Sequence, residues 1–349
     1  MSQKKRVTIH QVAKEANVSR QTVSRVINNR PDVAPETRER VQEVIERLGY
    51  RPSAIARSLI QQRSYTIGVV IAGLKFVGPS RTLNGITEMA EEMGYGLLLK
   101  ELLGFTTNDV DPLLQWFLSR QVDGIIWAVP EVGENRDWLQ DQLPDLSVPL
   151  IFLTMQVQKG LSIVSVDNYL GGRMATEHLI EQGKDKIGHI SGPLDWWEAQ
   201  QRKQGWLDAL LDANLRVDEK FAAEGNWSSR SGEQAFQRLL DDYPGMNGVF
   251  VGNDQMALSV IQIACRDGIK IPDELAVVGF DGIPDAAYYW PPLTTIYQDQ
   301  YKVGCTAVQT LVELIEAWQR GETDLEPKMT IIEPELIVRE STKSVQPAG

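Results

Sequence analysis

The chain has 349 residues, with 35 Lys and Arg against 47 Asp and Glu, for a formal net charge of −12. Bulk acidity of that size excludes a protein that coats nucleic acid along its whole length, and no run of about 18 apolar residues offers a membrane span. The charge is uneven, however: residues 1–63 hold 13 Lys and Arg against 6 Asp and Glu, net +7, which leaves −19 for residues 64–349. A basic head on an acidic body draws a polyanion to the head alone.

Ile9, Val12, Ala13 and Ala16 recur at helical spacing, Asn17 and Val18 interrupt, and Val23, Val26 and Ile27 resume the stripe. This predicts two short amphipathic helices joined by a tight turn. Thr8 is placed to cap the first and Ser19 the second, each through a side-chain oxygen that accepts from a first-turn amide. Arg20, Gln21, Ser24 and Arg25 then fall on the outward face of the second helix. Arg forks onto guanine, Gln bridges adenine and hydroxyls take phosphates, so the face suits a DNA groove. Taken alone it equally fits a solvated basic surface; the segmental charge favours DNA. A third helix is expected from Pro35, with Glu36 and Glu39 at its positive end, an apolar stripe of Val41, Val44, Ile45 and Leu48, and a stop at Gly49. Residues 51–64 are too short for a stable isolated helix, yet Ile55 and Leu59 form an i, i+4 apolar pair able to pack on a symmetry mate and wedge a base step.

The body alternates short apolar bursts with helical stretches. Strands are expected at 66–72, 96–100, 122–128 and 149–153 with helices at 83–93 and 112–120, and then strands at 186–191, 248–252 and 275–280 with helices at 173–182, 200–213, 232–240 and 255–267. That is two doubly wound lobes with parallel sheets. Such sheets hold ligands beyond their carboxyl edges, which directs attention to Asp281 and Asn253 at strand ends and to Arg202 and Trp227 near helix starts. A carboxylate accepts from adjacent hydroxyls, Arg and Asn bridge them, and an indole covers the apolar face of a pyranose. Asp254 is expected to cap the helix that starts at Gln255, and Trp206 to lie in the core.

The run from Val12 to Asn28, VAKEANVSRQTVSRVIN, resembles the signature of the lactose repressor (LacI/GalR) family of bacterial transcription regulators. The likeness extends through residues 72–80, 225–228, 251–257, 278–281 and 291–298. It implies an all-α helix-turn-helix DNA-binding head joined to an α/β periplasmic-binding-protein-like body of two doubly wound parallel-sheet lobes. The implied divisions are a head at 1–50, a hinge helix or linker at 51–64, a first lobe from 65–166 with 298–328, a second from 167–297 with 329–341, and a polar tail at 342–349. Residues 294–298 would cross between lobes, 301–319 would rejoin the first and 329–339 would close the second. The DNA-binding set becomes Thr8, Ser19, Arg20, Gln21, Thr22, Ser24, Arg25, Asn28, Ala56 and Leu59. The effector set becomes Arg202, Asn253 and Asp281 on sugar hydroxyls, Trp227 stacking, and Phe76 and Gln298 on the first-lobe wall.

Three departures matter. Trp196 and Trp197 replace small polar residues, which favours an extended ligand contacting Trp196; Thr154 stands where an aspartate is expected; Ala34 replaces a Ser cap. The resemblance implies a repressor released from pseudo-palindromic double-stranded operator DNA by a galactoside, glucoside or short oligosaccharide. The alternative is a purine or other small molecule acting as corepressor. Reading both halves of a palindrome needs a homodimer, and the polar end without heptads implies that the family's tetramer-forming tail is absent.

Other classes fit less well. An enzyme needs a convergent set, but His10, His178 and His189 are scattered and no Walker loop, HExxH or GxSxG occurs, so no catalytic group, metal or cofactor is expected. A sugar-binding transport protein would need an export signal, and Lys4, Lys5 and Arg6 lead into a polar helix instead. Cys265 and Cys305, both expected to be buried on helices, suit the reducing cytoplasm.

Overall fold

The computed structural model describes residues 7–27, 30–50, 63–105, 110–139, 146–322 and 326–343. It divides into two compact units, Met1–Tyr65 and Thr66–Gly349. Asn28, Ala56 and Leu59, with most of the linker, lie outside the described residues.

The head comprises α1 (Ile9–Glu15), α2 (Arg20–Ile27) and α3 (Pro35–Leu48). Val12, Ala13, Ala16, Val23, Val26, Val41 and Val44 meet in one buried cluster, so the three apolar stripes are what hold the unit together. The turn between α1 and α2 is made by Asn17 at φ 52°, a residue type that tolerates the left-handed region, and Val18 N–H donates back to Ala13 O at 3.0 Å. Thr22 N–H donates to Ser19 Oγ at 3.0 Å, the expected cap of α2. At α1 the Gln11 side chain also reaches back, accepting from Thr8 N–H at 2.8 Å. Ala34 gives α3 no side-chain cap, and its start rests on Pro35.

In the body, β1 (Thr66–Ala72), α4 (Val77–Glu92), β2 (Gly96–Leu102), α5 (Asp111–Leu118), β3 (Gly124–Ala128), β4 (Leu150–Leu153) and β5 (Ser162–Val166) lead into the second lobe. There α6 (Asn168–Glu181), β6 (Ile187–Ser191), α7 (Trp197–Asp212), β7 (Ala222–Glu224), α8 (Ser229–Asp242), β8 (Gly248–Val251), α9 (Asp254–Arg266), β9 (Ala276–Asp281) and β10 (Thr294–Tyr297) follow. The chain ends with α10 (Gln300–Gln319), β11 (Met329–Ile332) and β12 (Glu335–Ile337). One sheet has the order β11-β5-β4-β3-β1-β2, the other β12-β10-β9-β8-β6-β7. Pairing is parallel throughout except between β10 and β12. Strands such as β1, β3 and β9 are buried on both faces, which is why they read as continuous apolar runs.

The structure corrects several expectations. Residues 329–339 do not close the second lobe as one piece: Met329 to Ile332 pair with Ile163 to Val166 in the first sheet, and only Glu335 to Ile337 join the second. Pro334 between them lacks the N–H a ladder needs, so the strand is broken where the chain changes lobes. Residues 294–297 are a strand of the second sheet, and the crossing follows them. Thr342 is not free tail; it is buried, with its Oγ1 at 2.8 Å from both His178 Nε2 and Thr294 Oγ1. Asn253, not Asp254, caps α9, its Oδ1 accepting from Met256 N–H at 2.9 Å. Cys265 is exposed and Cys305 half-buried. Trp206 is core, as expected.

Two close helix pairs set the site's frame. A Cβ on Gly172 would stand 2.3 Å from Arg202 O and one on Gly205 2.3 Å from Tyr169 O, so α6 and α7 touch backbone to backbone. Gly85 and Gly304 do the same for α4 and α10, with 2.1 Å to Tyr301 O and 2.2 Å to Thr82 O. Among the described residues no helix is long and apolar enough to cross a membrane.

Candidate functional site

The head presents its polar residues on one side of its core. Arg20, Gln21 and Arg25 are exposed and Thr22 and Ser24 half-buried, while Val23 and Val26 on the same helix are buried. Thr8 and Ser19 are exposed at the helix starts. Arg25 lies 3.5 Å from Asp32, a contact between two half-exposed groups that costs little to exchange for a phosphate or base.

In the body, Phe76, Trp196, Arg202, Trp227, Asn253, Asp281 and Gln298 all line one cleft between the lobes, of about 760 Å³ including its open mouth. The close approach of α6 and α7 brings Arg202 beside Asn168, whose Oδ1 accepts from its Nε at 2.8 Å, and Gly252 O accepts from its Nη1 at 2.6 Å. Asp281 Oδ1 is 3.7 Å from the same Nη1 and accepts from Gln298 Nε2 at 2.6 Å. The guanidinium also sits 3.7 Å from the Phe280 ring centre and 5.4 Å from that of Trp227. Trp227 has φ 69°, and Asn253 Nδ2 donates to its carbonyl at 3.0 Å. Its ring lies on Gly192, where a Cβ would be 2.0 Å from the indole, so only glycine leaves the ring its place.

The lobes also meet over the cleft. Val132 and Trp196 form an antiparallel bridge, with Gly133 N–H donating to Asp195 O at 2.9 Å and Trp197 N–H to Glu131 O at 3.1 Å. Trp196 is edge-on to Phe105 at 4.6 Å, Trp227 at 5.7 Å and Phe76 at 6.3 Å, so four rings from both lobes enclose one side. Trp197 and Asp254 are not part of the lining. Asp254 lies behind it, accepting from Thr295 Oγ1 at 2.6 Å and Ile283 N–H at 2.8 Å.

Comparison with known proteins agrees with both halves. Residues 8–53 match "Bacterial regulatory proteins, lacI family" and residues 176–342 match "Periplasmic binding protein-like domain". The HTH-type transcriptional repressor PurR of Mannheimia succiniciproducens is 33% identical, over 97% of this chain and 99% of the relative. The chain belongs to the lacI family of bacterial regulatory proteins. Among solved structures similar to this lacI-family chain, the lac repressor dimer bound to operator and the anti-inducer ONPF has a TM-score of 0.85 at 30% identity, covering 97% of this chain and 99% of that one. A transcriptional regulator CelR–cellobiose complex has a TM-score of 0.70 at 32% identity, covering 96% and 100%. The chain is a DNA-binding regulator controlled by a small-molecule effector, with the all-α head and two-lobed α/β body of its family.

The charge of this regulator's cleft is set by burial. Burial pushes Asp281 up to about 6, with Arg202 and the Gln298 bond pulling the other way. Behind it, burial and then the Asp281 charge raise Asp254 to about 8. Glu198, one turn before Arg202 on α7, is raised by burial to about 7. Sequence reasoning missed Glu198, Gln255 and Phe105 as members of this site. The i, i+4 spacing of Glu198 and Arg202 on one helix was the available signal for the first; Phe105 follows β2 with no pattern to mark it. Glu198 Oε2, Gln255 Oε1 and Trp227 Nε1 are buried without a hydrogen-bond partner, and all three residues line the cleft.

Proposed function

We propose that the effector is a sugar, a glucoside, galactoside or short oligosaccharide, and that its binding between the lobes relieves the grip of a homodimer on operator DNA. The observation that carries this reading is the pairing of an indole wall with orphaned polar atoms around it. Trp227 and Trp196 offer apolar faces, while Glu198 Oε2, Gln255 Oε1 and Trp227 Nε1 are left for a ligand to satisfy. A ring with hydroxyls on its edge and C–H groups on its face meets both demands. A purine sandwiched between the two indoles is disfavoured, because Trp196 and Trp227 stand at 70° to each other. The complex of the similar regulator CelR with cellobiose supports a disaccharide in particular.

In this reading Arg202, Asn253 and Asp281 take the sugar's hydroxyls, Trp227 and Trp196 stack, and Phe76 and Gln298 form the first-lobe wall. On the head, Arg20, Gln21 and Arg25 read bases, with Thr8, Ser19, Thr22, Ser24, Asn28 and Ala56 completing the DNA contacts and Leu59 acting as the minor-groove wedge. Pairing two heads on a palindrome is what the dimer supplies. A thermal-shift screen of the full chain with cellobiose, lactose, their monosaccharides, hypoxanthine and guanine tests the ligand class, since a binder stabilises by mass action. Stabilisation by a purine and by no saccharide would overturn the sugar reading.

A further inference from the structure

Glu198 stands apart from the other polar residues of the cleft. Among the described residues of the lining only Glu198, Arg202 and Asp281 bear charge, two carboxylates against one guanidinium. The guanidinium is already engaged by Asn168, Gly252 and Asp281. Arg136, brought by the first lobe, is buried and donates to Val129 O and to Asn135 Oδ1 at 3.2 Å. Glu198 itself is 8% exposed, and its Oε2 accepts from nothing. A buried acceptor left open costs free energy until a donor reaches it, and an anion brought beside it pays repulsion that little water screens.

We propose that Glu198 selects the effector by charge: the cleft takes a neutral or amino-bearing saccharide, whose hydroxyl or amino group donates to Glu198 Oε2, and rejects uronates and other acidic sugars. This deepens the sugar reading and rests on it. The groups that face Glu198 are Arg202 on its own helix and Arg136 and Glu131 from the first lobe. Burial raises its carboxyl to about 7; a bond from its own backbone N–H and then the two arginines pull it down, and Glu131 adds to the rise. Rejection of anions is therefore strongest when the carboxyl is ionised, above that value, and fades as it is protonated.

The test is isothermal titration of the full chain with cellobiose, cellobiouronate and deacetylated chitobiose, on wild type and on Glu198→Gln, at about pH 8, where ordinary carboxyls are ionised. Comparing ratios between the two proteins cancels differences of ligand shape. The preference for cellobiose over cellobiouronate is expected to fall by about tenfold or more in the variant, roughly 1.4 kcal/mol, and any advantage of the amino sugar is expected to shrink. In wild type alone the same preference should fall when the pH is lowered to about 5.5, a measurement that needs no variant and uses a ligand carboxylate still ionised there. Unchanged ratios in both arms would overturn charge selection and leave the sugar reading standing. Binding of none of the three to wild type would overturn charge selection among these saccharides, and only if the thermal screen also finds no saccharide does the sugar reading fall with it.

Discussion

Replacing Gly192 by alanine is expected to disable the cleft without touching any residue that faces a ligand. The added Cβ would stand 2.0 Å from Trp227 Cη2 and 2.1 Å from Cζ2, whereas carbon atoms at rest are about 3.5–4.0 Å apart. The indole must therefore retreat by about 1.5 Å, and little around it yields. Its backbone is held at φ 69°, Asn253 ties its carbonyl at 3.0 Å, and Trp196 stands edge-on at 5.7 Å. The room available is the cleft itself, so the ring moves into the space a saccharide would fill. Overpacking of this kind costs about 1–3 kcal/mol of stability, and loss of the stacking surface should weaken a bound saccharide by about tenfold or more. Urea melts of the full chain and titration with whichever sugar the thermal screen identifies would measure both. A Gly192→Ala protein that binds sugar with wild-type affinity and loses less than about 0.5 kcal/mol would refute the claim that this glycine fixes Trp227.

Three further outcomes are expected. Asp254, Glu198 and Asp281 have folded values raised to about 8, 7 and 6 from 3.8, 4.5 and 3.8, so between the unfolded and folded values the folded state holds more protons than the unfolded one and stability falls as pH rises; urea melts should show the decline from about pH 4 to about pH 8, and Asp254→Asn should flatten its upper part, where Asp254 alone still holds its proton. Gly205→Ala, whose Cβ would meet Tyr169 O at 2.3 Å, should separate α6 from α7, lower the melting temperature and abolish sugar binding through Arg202; a variant with wild-type melting would show that the helices are free to part. Arg25→Ala should weaken operator binding by about 1–3 kcal/mol with no matching loss on random DNA if it reads a base, and equal loss on both in gel-shift titrations would mark a phosphate contact.

The head was legible because its signals are local: each helix carries its own stripe and cap, and one αL residue, Asn17, makes the turn. The lobes were legible where strands are long apolar runs, as in β1 and β3, and illegible where a strand is brief. The Ala222–Glu224 strand has three residues, and Ser162–Val166 intersperses serines that only its buried neighbours explain. The split of residues 329–337 between two sheets depends on partners some 40 or 170 residues away, which no window of sequence displays. For the cleft, strand-end reasoning found Asp281 and Asn253. It assigned the cap to Asp254, because Asn and Asp are equivalent candidates until burial and Thr295 decide between them. Glu198 was passed over because a glutamate near a helix start is usually a solvated charge at the dipole's positive end; here it is buried in the lining of the cleft.

The same geometry explains how a small ligand can act on the first lobe. Thr82 Oγ1 on α4 lies 2.9 Å from Gln300 Oε1, Gln300 Nε2 donates to Gln298 Oε1 at 2.8 Å, and Gln298 Nε2 donates to Asp281 Oδ1 at 2.6 Å. This chain runs through the crossing between lobes and ends on the carboxylate that also faces the cleft, while the contact of Gly85 with Gly304 locks α4 to α10. A ligand hydroxyl competing for Asp281 therefore competes with a first-lobe helix. Over the cleft the lobes are also clasped by two backbone bonds, Gly133 to Asp195 and Trp197 to Glu131. Such bonds contribute about 1 kcal/mol each, and couplings between distant sites are commonly about 1–3 kcal/mol. A clasp of that size is strong enough to bias the two lobes toward one arrangement and weak enough for a single ligand to reverse the bias.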